Sequence, residues 1–504
     1  MLKAVTAADL SRFKTQRIGA GTFGAKTIEL DRFVLAPETR WLHKIPATSF
    51  AIETFTRELV RMGFLTEHGE YTGQIYNPRI TPLFYPSDVF TEQGIKQILD
   101  AVAQYIGYPI AIRSDERTAK GVGAFKTIFM KYDGSKEGQN RLVEAVLEIL
   151  CEQFDYVPMA LKEKTGMPHG IGIMIMPLVG DEITFEGERL ITPRASFSGF
   201  TVKDQNKVIV HFGYGIGGGV DIGVGRIIID GVNKQRRWKF DANYQEYIGV
   251  FYQKHGNVVD IEKKTLHNRC LSMYQYDLNY KAEEIGRRML EIAIGEGEDG
   301  YFEIQSMNLN EDIWAITQKS KHFWPEVNKP EGTELISIDK ANGNIVGSGI
   351  IRCKGINGRI TLPGDWGDKN PNEFRSLVRK GSLLLAPPVV DIGGIKLSTI
   401  LDLPIFPIIC NAGAIISTNT YARPIFAHLA GIFREAGIPI LNPHFEFSLM
   451  NQVASAKKVL EDCKKQGIKI ETDTIRRMQK ELLENTELLV WADELNQTGG
   501  VVAP

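Results

Sequence analysis

The sequence predicts a multidomain α/β protein, and three observations carry the prediction. At 504 residues the chain is too long for one hydrophobic core, so several domains are expected. Its 43% hydrophobic and 24% charged residues match a globular chain with a well-filled interior. Its 49 glycines gather in loops that come after apolar runs, as they do where strand-to-helix turns approach a ligand closely.

Charge and cysteine usage narrow the function classes. The formal net charge is -2, so no basic excess points to a nucleic-acid partner. Cys151, Cys270, Cys353, Cys410 and Cys463 lie far apart and form no CxxC pair, which argues against a disulfide scaffold or zinc knuckle and for a reducing cytoplasm. The N-terminal residues MLKAVTAADLSRFKTQ lack the apolar stretch of a signal peptide. The most apolar region, Leu383 to Ile416, is broken by Pro387, Pro388, Gly393, Gly394, Pro404 and Pro407, so it reads as short buried strands and no membrane association is expected.

Along the chain, Ile45 to Ile52 reads as a strand entering a helix near Glu53, and Pro109 to Ser114 as a strand ending in polar residues. In LVEAVLEILCEQF, Leu142, Val146, Ile149 and Leu150 share one helical stripe. IGIMIMPLV and KVIVHFGYGIGGG read as buried strands, the second running into a glycine loop. Tyr301 to Met307 and Ile313 to Gln318 form a hairpin turning at residues 308–311. WPEVNKPEG is a linker, and the stretch from Glu334 to about Leu441 is rich in strands and glycine. Beyond Asn442 the composition becomes charged and helical, and the last residues, GGVVAP, read as frayed.

The segment from Thr418 to Pro439 holds the sharpest chemical signal. Asn419 or Thr420 would cap a helix, Pro424 suits its first turn and Gly437 its end, which puts His428 in the early turns. A neutral imidazole attacks phosphorus near pH 7 and hands the group onward, splitting one transfer into two. His428, Arg434-Glu435 and Gly437-Ile438-Pro439 together resemble the phosphohistidine signature of the phosphoenolpyruvate synthase and pyruvate phosphate dikinase family. Gly381 to Pro388 and Gly413 to Ser417 resemble that family's neighbouring strands.

The N-terminal part resembles the ATP-grasp-like nucleotide domain of the same family, in the same order. Gly24-Ala25-Lys26 is similar to its G-G-K, and Ile45 to Phe50 to its V-P-x-G-F. Ala111-Ile112-Arg113-Ser114 resembles V-R-S-S, and Gly121-Val-Gly123 with Thr127 resembles the phosphate-covering F-A-G-x-x-x-T. Gly213 to Gly225, including Gly217 and Gly218, resembles W-G-L-G-E, and Glu303-Ile304-Gln305 with Gln318 resembles the metal-binding D-I-E-W and L-x-x-Q-x-R-P elements. Gln305 stands where the family has a metal-binding glutamate, with Glu303 or Asp312 as substitutes, and Lys319 stands in for the final arginine's charge.

The resemblance implies an ATP-grasp-like two-lobe domain (1–110 and 111–328), a swivelling β/α phosphohistidine domain (333–445) and a helical tail (446–504) that packs on them or forms a homo-oligomer. It implies ATP and Mg²⁺ as cofactors. Lys26, Arg113, Gly121, Gly123, Thr127, Gly217 and Gly218 would bind nucleotide, and Glu303, Gln305 and Gln318 would hold the metal. His428 would carry the phosphoryl group, assisted by Arg423 and Arg434, to a small-molecule acceptor or a partner protein, since the family's phosphoenolpyruvate barrel has no counterpart here. Read by residue type alone, Arg113 is equally a buried ion-pair residue, and Glu303 and Gln318 a cross-strand pair.

Overall fold

The structure is a computed structural model. It describes residues 5–33, 35, 39–76, 84–118, 125, 127–185, 188–215, 225–231, 237–240, 247–253, 261–267, 278–307, 312–322, 324, 327, 348–357, 376–386, 411–417, 436–441, 465–466, 484–485, 487–496 and 498–502. These residues form a mixed α/β protein whose described parts fall into two compact units, one within residues 1–324 and one within 325–504. Described helices are α1 (Ala7–Leu10), α2 (Ala25–Arg32), α3 (Thr56–Arg61), α4 (Pro86–Val89), α5 (Glu92–Val102), α6 (Lys136–Glu152), α7 (Tyr156–Thr165) and α8 (Leu278–Glu296). None of them is long and apolar enough to cross a membrane.

Among the described residues, the first unit holds three sheets. One runs in the order β1 (Gln16–Ile18), β3 (Thr48–Phe50), β6 (Ile171–Pro177), β4 (Tyr108–Glu116) and β5 (Thr127–Tyr132). The β-branched and sulfur-rich run of β6 explains its central position, because all seven of its residues are buried. The α6 stripe expected from the sequence forms, with Leu142, Val146, Ile149 and Leu150 all in the core beside β4 residues Ile110 and Ile112.

A seven-stranded sheet runs β12 (Arg237–Phe240), β11 (Gly225–Asp230), β10 (Lys207–Tyr214), β9 (Ala195–Val202), β15 (Gly300–Ser306), β16 (Trp314–Lys321) and β2 (Leu42–Lys44). Its two faces differ in kind. Val208, Val210, Ile227 and Ile229 join Ile285 and Met289 of α8 in the core. Gly199 and Gly286 permit that close contact: a Cβ at Gly199 would lie 2.2 Å from Met289 Sδ, and one at Gly286 2.5 Å from Ile229 Cδ1. The third sheet, β14 (Ile261–His267), β13 (Tyr247–Gln253), β8 (Glu188–Thr192) and β7 (Asp181–Phe185), is antiparallel throughout. The expected strands at Pro109 to Ser114, in IGIMIMPLV and in KVIVHFGY are β4, β6 and β10, and the expected hairpin is β15 with β16. The boundary read at 110/111 falls inside β4, and strands from either side of it share both of the larger sheets.

In the second unit, β18 (Ile356–Asn357), β19 (Leu383–Ala386), β20 (Ala414–Ser417) and β21 (Ile440–Leu441) form an all-parallel sheet. Gly437, at φ +66°, precedes β21 in the left-handed conformation expected of a helix-ending glycine. Beside this sheet stands an antiparallel one, β17 (Gly349–Lys354), β22 (Glu487–Asp493) and β23 (Thr498–Val502). Here the helical reading of 446–504 is corrected at its end, and the frayed reading of GGVVAP with it: Gly499 to Val502 belong to β23. The reason is a two-residue period. Leu488, Val490 and Ala492 alternate onto one face and pack on Cys353, Leu383, Ala414 and Leu441.

Candidate functional site

Arg113 lies on β4, directly opposite Thr127 of β5. Its guanidinium reaches the hairpin of β15 and β16, 190 to 205 positions later in the chain. Arg113 Nη2 donates to Glu303 Oε2 at 3.2 Å and to Gln318 Oε1 at 2.6 Å, and Nη1 donates to the Thr317 carbonyl at 3.2 Å. Glu303 and Gln318 are themselves directly opposed across the hairpin. Both alternatives left open by residue type are therefore realised together: Arg113 forms an ion pair, and Glu303 and Gln318 form a cross-strand pair.

A β-bulge makes the meeting geometrically feasible. The register between β15 and β16 shifts after Glu303, so that Ile304 opposes Ile316 and Thr317 is passed over. Such a bulge turns one peptide out of the ladder, and the Thr317 carbonyl is the one that Arg113 takes up. Two neighbours fix the acceptors. Tyr301 Oη donates to Glu303 Oε1 at 2.7 Å, and Gln318 Nε2 donates to Ser320 Oγ at 3.2 Å. The carboxylate and amide oxygens thus converge on one positively charged nitrogen. Three oxygen donors, one of them anionic, compose a set that suits a hard divalent cation. Among the described residues, no group of three His, Cys, Asp or Glu side chains gathers in a way that could hold a metal.

The site continues along the same face of the seven-stranded sheet. Arg226, His211, Ser198, Glu303 and Gln318 occupy successive opposed positions on β11, β10, β9, β15 and β16. Opposed residues project to one side of a sheet, so this is a polar row on the face away from α8. Gln305 lies two residues after Glu303, opposite Ser196 and Ala315. Asp312 and Lys319 do not join the site: Asp312 pairs with Lys281 at 2.7 Å, while Lys319 pairs with Glu296 and lies over the Phe33 ring. Adjacent strand residues alternate sides, which carries Lys319 away from Gln318.

Lys26 stands in a second charged cluster, at the C-terminal end of β4, just beyond Arg113. Its Nζ donates to the Ser114 carbonyl at 2.8 Å and pairs with Glu116 at 3.0 Å. Asp115 caps α2, accepting from the Lys26 backbone N–H at 3.0 Å and from that of Thr27 at 3.4 Å. The helix N-terminus, with its positive dipole end, is therefore filled by a protein carboxylate. Full burial pushes the Asp115 carboxyl up to about 6 in spite of those donors and of Lys26. Lys162 of α7 is also buried. It donates to the Gln153 carbonyl at 3.0 Å and lies over the rings of Phe154 and Phe125, and desolvation brings its amine down to about 7 against the pull of Glu116.

Of the expected site residues, the structure thus brings Arg113, Thr127, Glu303 and Gln318 together, sets Gln305 on the adjoining position and puts Lys26 in the cluster of α2. Gly121, Gly123, Gly217, Gly218, Arg423, His428 and Arg434 lie outside the described residues, as does nearly all of the linker. Sequence reasoning missed Tyr301, Thr317, Ser320 and Lys162. The alternation of a hairpin strand was enough to find Tyr301 and Ser320, two residues from Glu303 and Gln318. No protein-family model matches the chain, and no curated protein is significantly similar to it.

Proposed function

We propose that the chain is an ATP-dependent phosphotransferase of the dikinase kind, with an ATP-grasp-like nucleotide domain followed by a swivelling β/α domain that carries His428. One observation supports this reading above the others. Arg113, Glu303 and Gln318 were singled out by separate short motifs and converge on a single point. Arg113 would neutralise nucleotide phosphates, with Thr127 beside it. Glu303 and Gln318 would hold Mg²⁺ with Gln305 adjoining, and the bound ion would offset phosphate charge. A nitrogen of the His428 ring attacks phosphorus: a P–N bond forms as the P–O bond to the departing group breaks. The acceptor, a small molecule or a partner protein, then takes the phosphoryl group and regenerates the imidazole. With the β-phosphorus as the point of attack, AMP is the departing group, and water splits the β–γ anhydride to release phosphate, so that the β-phosphoryl remains on His428 for the acceptor.

A second reading, nucleotide or partner binding without turnover, is favoured by Lys26. Its ammonium is already matched by Glu116 and the Ser114 carbonyl, and the α2 N-terminus is filled by Asp115. Incubation with MgATP labelled at the β-phosphate separates the two. The expected result is an acid-labile, base-stable phosphoprotein that disappears in His428→Ala. ATP binding without label and without AMP would sink the phosphohistidine mechanism and leave the binder.

A further inference from the structure

A guanidinium and a divalent cation cannot both occupy the point where Glu303 Oε2 and Gln318 Oε1 converge; Arg113 Nη2 sits there, and its Nη1 holds the neighbouring Thr317 carbonyl. We infer that Arg113 is an internal counter-cation that exchanges with the metal. It neutralises Glu303 until a polyphosphate draws its guanidinium away, and the freed oxygens then take the divalent cation. This rests on the nucleotide-binding reading above and adds its order of events: cation and nucleotide bind together or hardly at all.

Three features make the exchange feasible. First, the acceptors do not depend on Arg113 for their orientation. Tyr301 Oη holds the far oxygen of Glu303, and Ser320 Oγ holds the amide nitrogen of Gln318, so both ligating oxygens stay aimed when the guanidinium leaves. Second, the pair is not sealed: the Arg113 and Glu303 side chains are 15% and 14% exposed, against 11% and 6% for Lys26 and Glu116. Third, the guanidinium suits either role, since its planar fork binds phosphate as readily as carboxylate. Among the described residues, its one other polar contact is the weak one with the Met176 thioether, at 3.9 Å.

The exchange makes an unusual demand on mutants, because removing a positive site residue should improve cation binding. Mn²⁺ affinity of the full chain is measured by electron paramagnetic resonance and calorimetry, alone and with a non-hydrolysable ATP analogue. Arg113→Met is expected to bind Mn²⁺ alone about 10-fold more tightly than wild type, with the gain lost in Arg113→Met/Glu303→Gln. In wild type the analogue should tighten Mn²⁺ by a similar factor, and in Arg113→Met it should not. A folded Arg113→Met, verified by circular dichroism, that binds Mn²⁺ no tighter than wild type overturns the exchange. Should that variant not fold, Arg113→Lys is the substitute: one ammonium cannot hold all three oxygens, so its Mn²⁺ affinity should rise, and an unchanged value counts against the idea. An analogue that binds without any coupling to Mn²⁺ overturns the exchange alone. An analogue that never binds wild type removes the nucleotide reading itself.

Discussion

Two charged clusters lie three residues apart on β4, and they are built on opposite principles. Around Arg113, a guanidinium faces a carboxylate, an amide and a carbonyl, each with a second partner or a neutral character, and water reaches the edge. Around Lys26, the partners are consumed internally: Glu116 answers Lys26 and Ser114, and Asp115 answers the first turn of α2. The first arrangement can lose one member and keep its shape. In the second, every member is buried, and removal of Lys26 or Glu116 leaves the other's charge without its counterpart. The difference teaches which arginine or lysine in a motif remains available to a ligand. Motif position does not decide it; the identity of the neighbouring acceptors does.

The largest test of that contrast is Glu116→Ala. It leaves the Lys26 ammonium buried beside a lone carbonyl and deprives Lys162 of the carboxylate that raises its pKa. Breaking a buried pair by removing one partner costs about 3–5 kcal/mol, so urea denaturation should show a loss of that size. Replacing both partners, in Lys26→Met/Glu116→Leu, should recover most of it, since the uncompensated charge goes too. Glu303→Gln, which keeps an oxygen for Arg113, should cost about 1 kcal/mol. Equal losses for Glu116→Ala and Glu303→Gln would dissolve the distinction between the clusters.

Lys162 sharpens the comparison through pH. Desolvation lowers its amine to about 7, while in the unfolded chain it stays near the ordinary lysine value. Between the two, the unfolded chain binds more protons, so this residue's contribution makes the fold more stable as pH rises from about 7 towards 10. Glu116 and His169 are the charged and titratable groups coupled to it. Lys162→Met should therefore be more stable than wild type at pH 7, by an advantage that shrinks by about 1.4 kcal/mol per pH unit on the way up. An advantage independent of pH would mean that the amine stays charged throughout.

Much of this architecture was legible from local pattern. The hairpin that carries Glu303 and Gln318 announced itself by two apolar runs around a polar turn, and Arg113 by its place at the end of the apolar strand Pro109 to Ile112. What was not legible is register and distance. The bulge at Thr317 depends on how two strands settle against each other, and the Asp115 cap joins residues 89 apart. Nothing in the run Asp115-Glu116-Arg117 states that its first carboxylate is spent on a helix end and its second on a buried lysine. The C-terminal strands failed for another reason. Their alternation, Leu488, Val490, Ala492, was present but was subsumed in the charged composition that precedes it. Site and fold were thus readable where the period of one segment stood out from its surroundings, and unreadable where that period was submerged or where two segments had to meet.

Asp115 supplies the finest test, because it asks whether the closed cluster needs a charge at all. Its carboxyl titrates at about 6 instead of near 3.8, so the folded chain holds the proton more firmly than the unfolded one. Stability from this residue is therefore highest at acid pH and falls as pH rises through the window from about 4 to 6, after which the cost of the buried anion is constant. That cost is at most about 3 kcal/mol, with the pull of the Thr27 hydrogen bonds and of Lys26 already contained in the value of about 6. Asn at this position retains an oxygen for the Lys26 and Thr27 N–H groups without the charge, and asparagine caps helices about as well as aspartate. Asp115→Asn should then stabilise the protein by about 1–3 kcal/mol at pH 8 and by nothing measurable near pH 3.5, read from urea midpoints at the two pH values. A variant less stable than wild type at pH 8 would show that the carboxylate's attraction to the helix end and to Lys26 outweighs its burial. In that case the cluster is closed because its charges hold one another, in spite of an Asp115 Oδ2 that is buried without a hydrogen-bond partner.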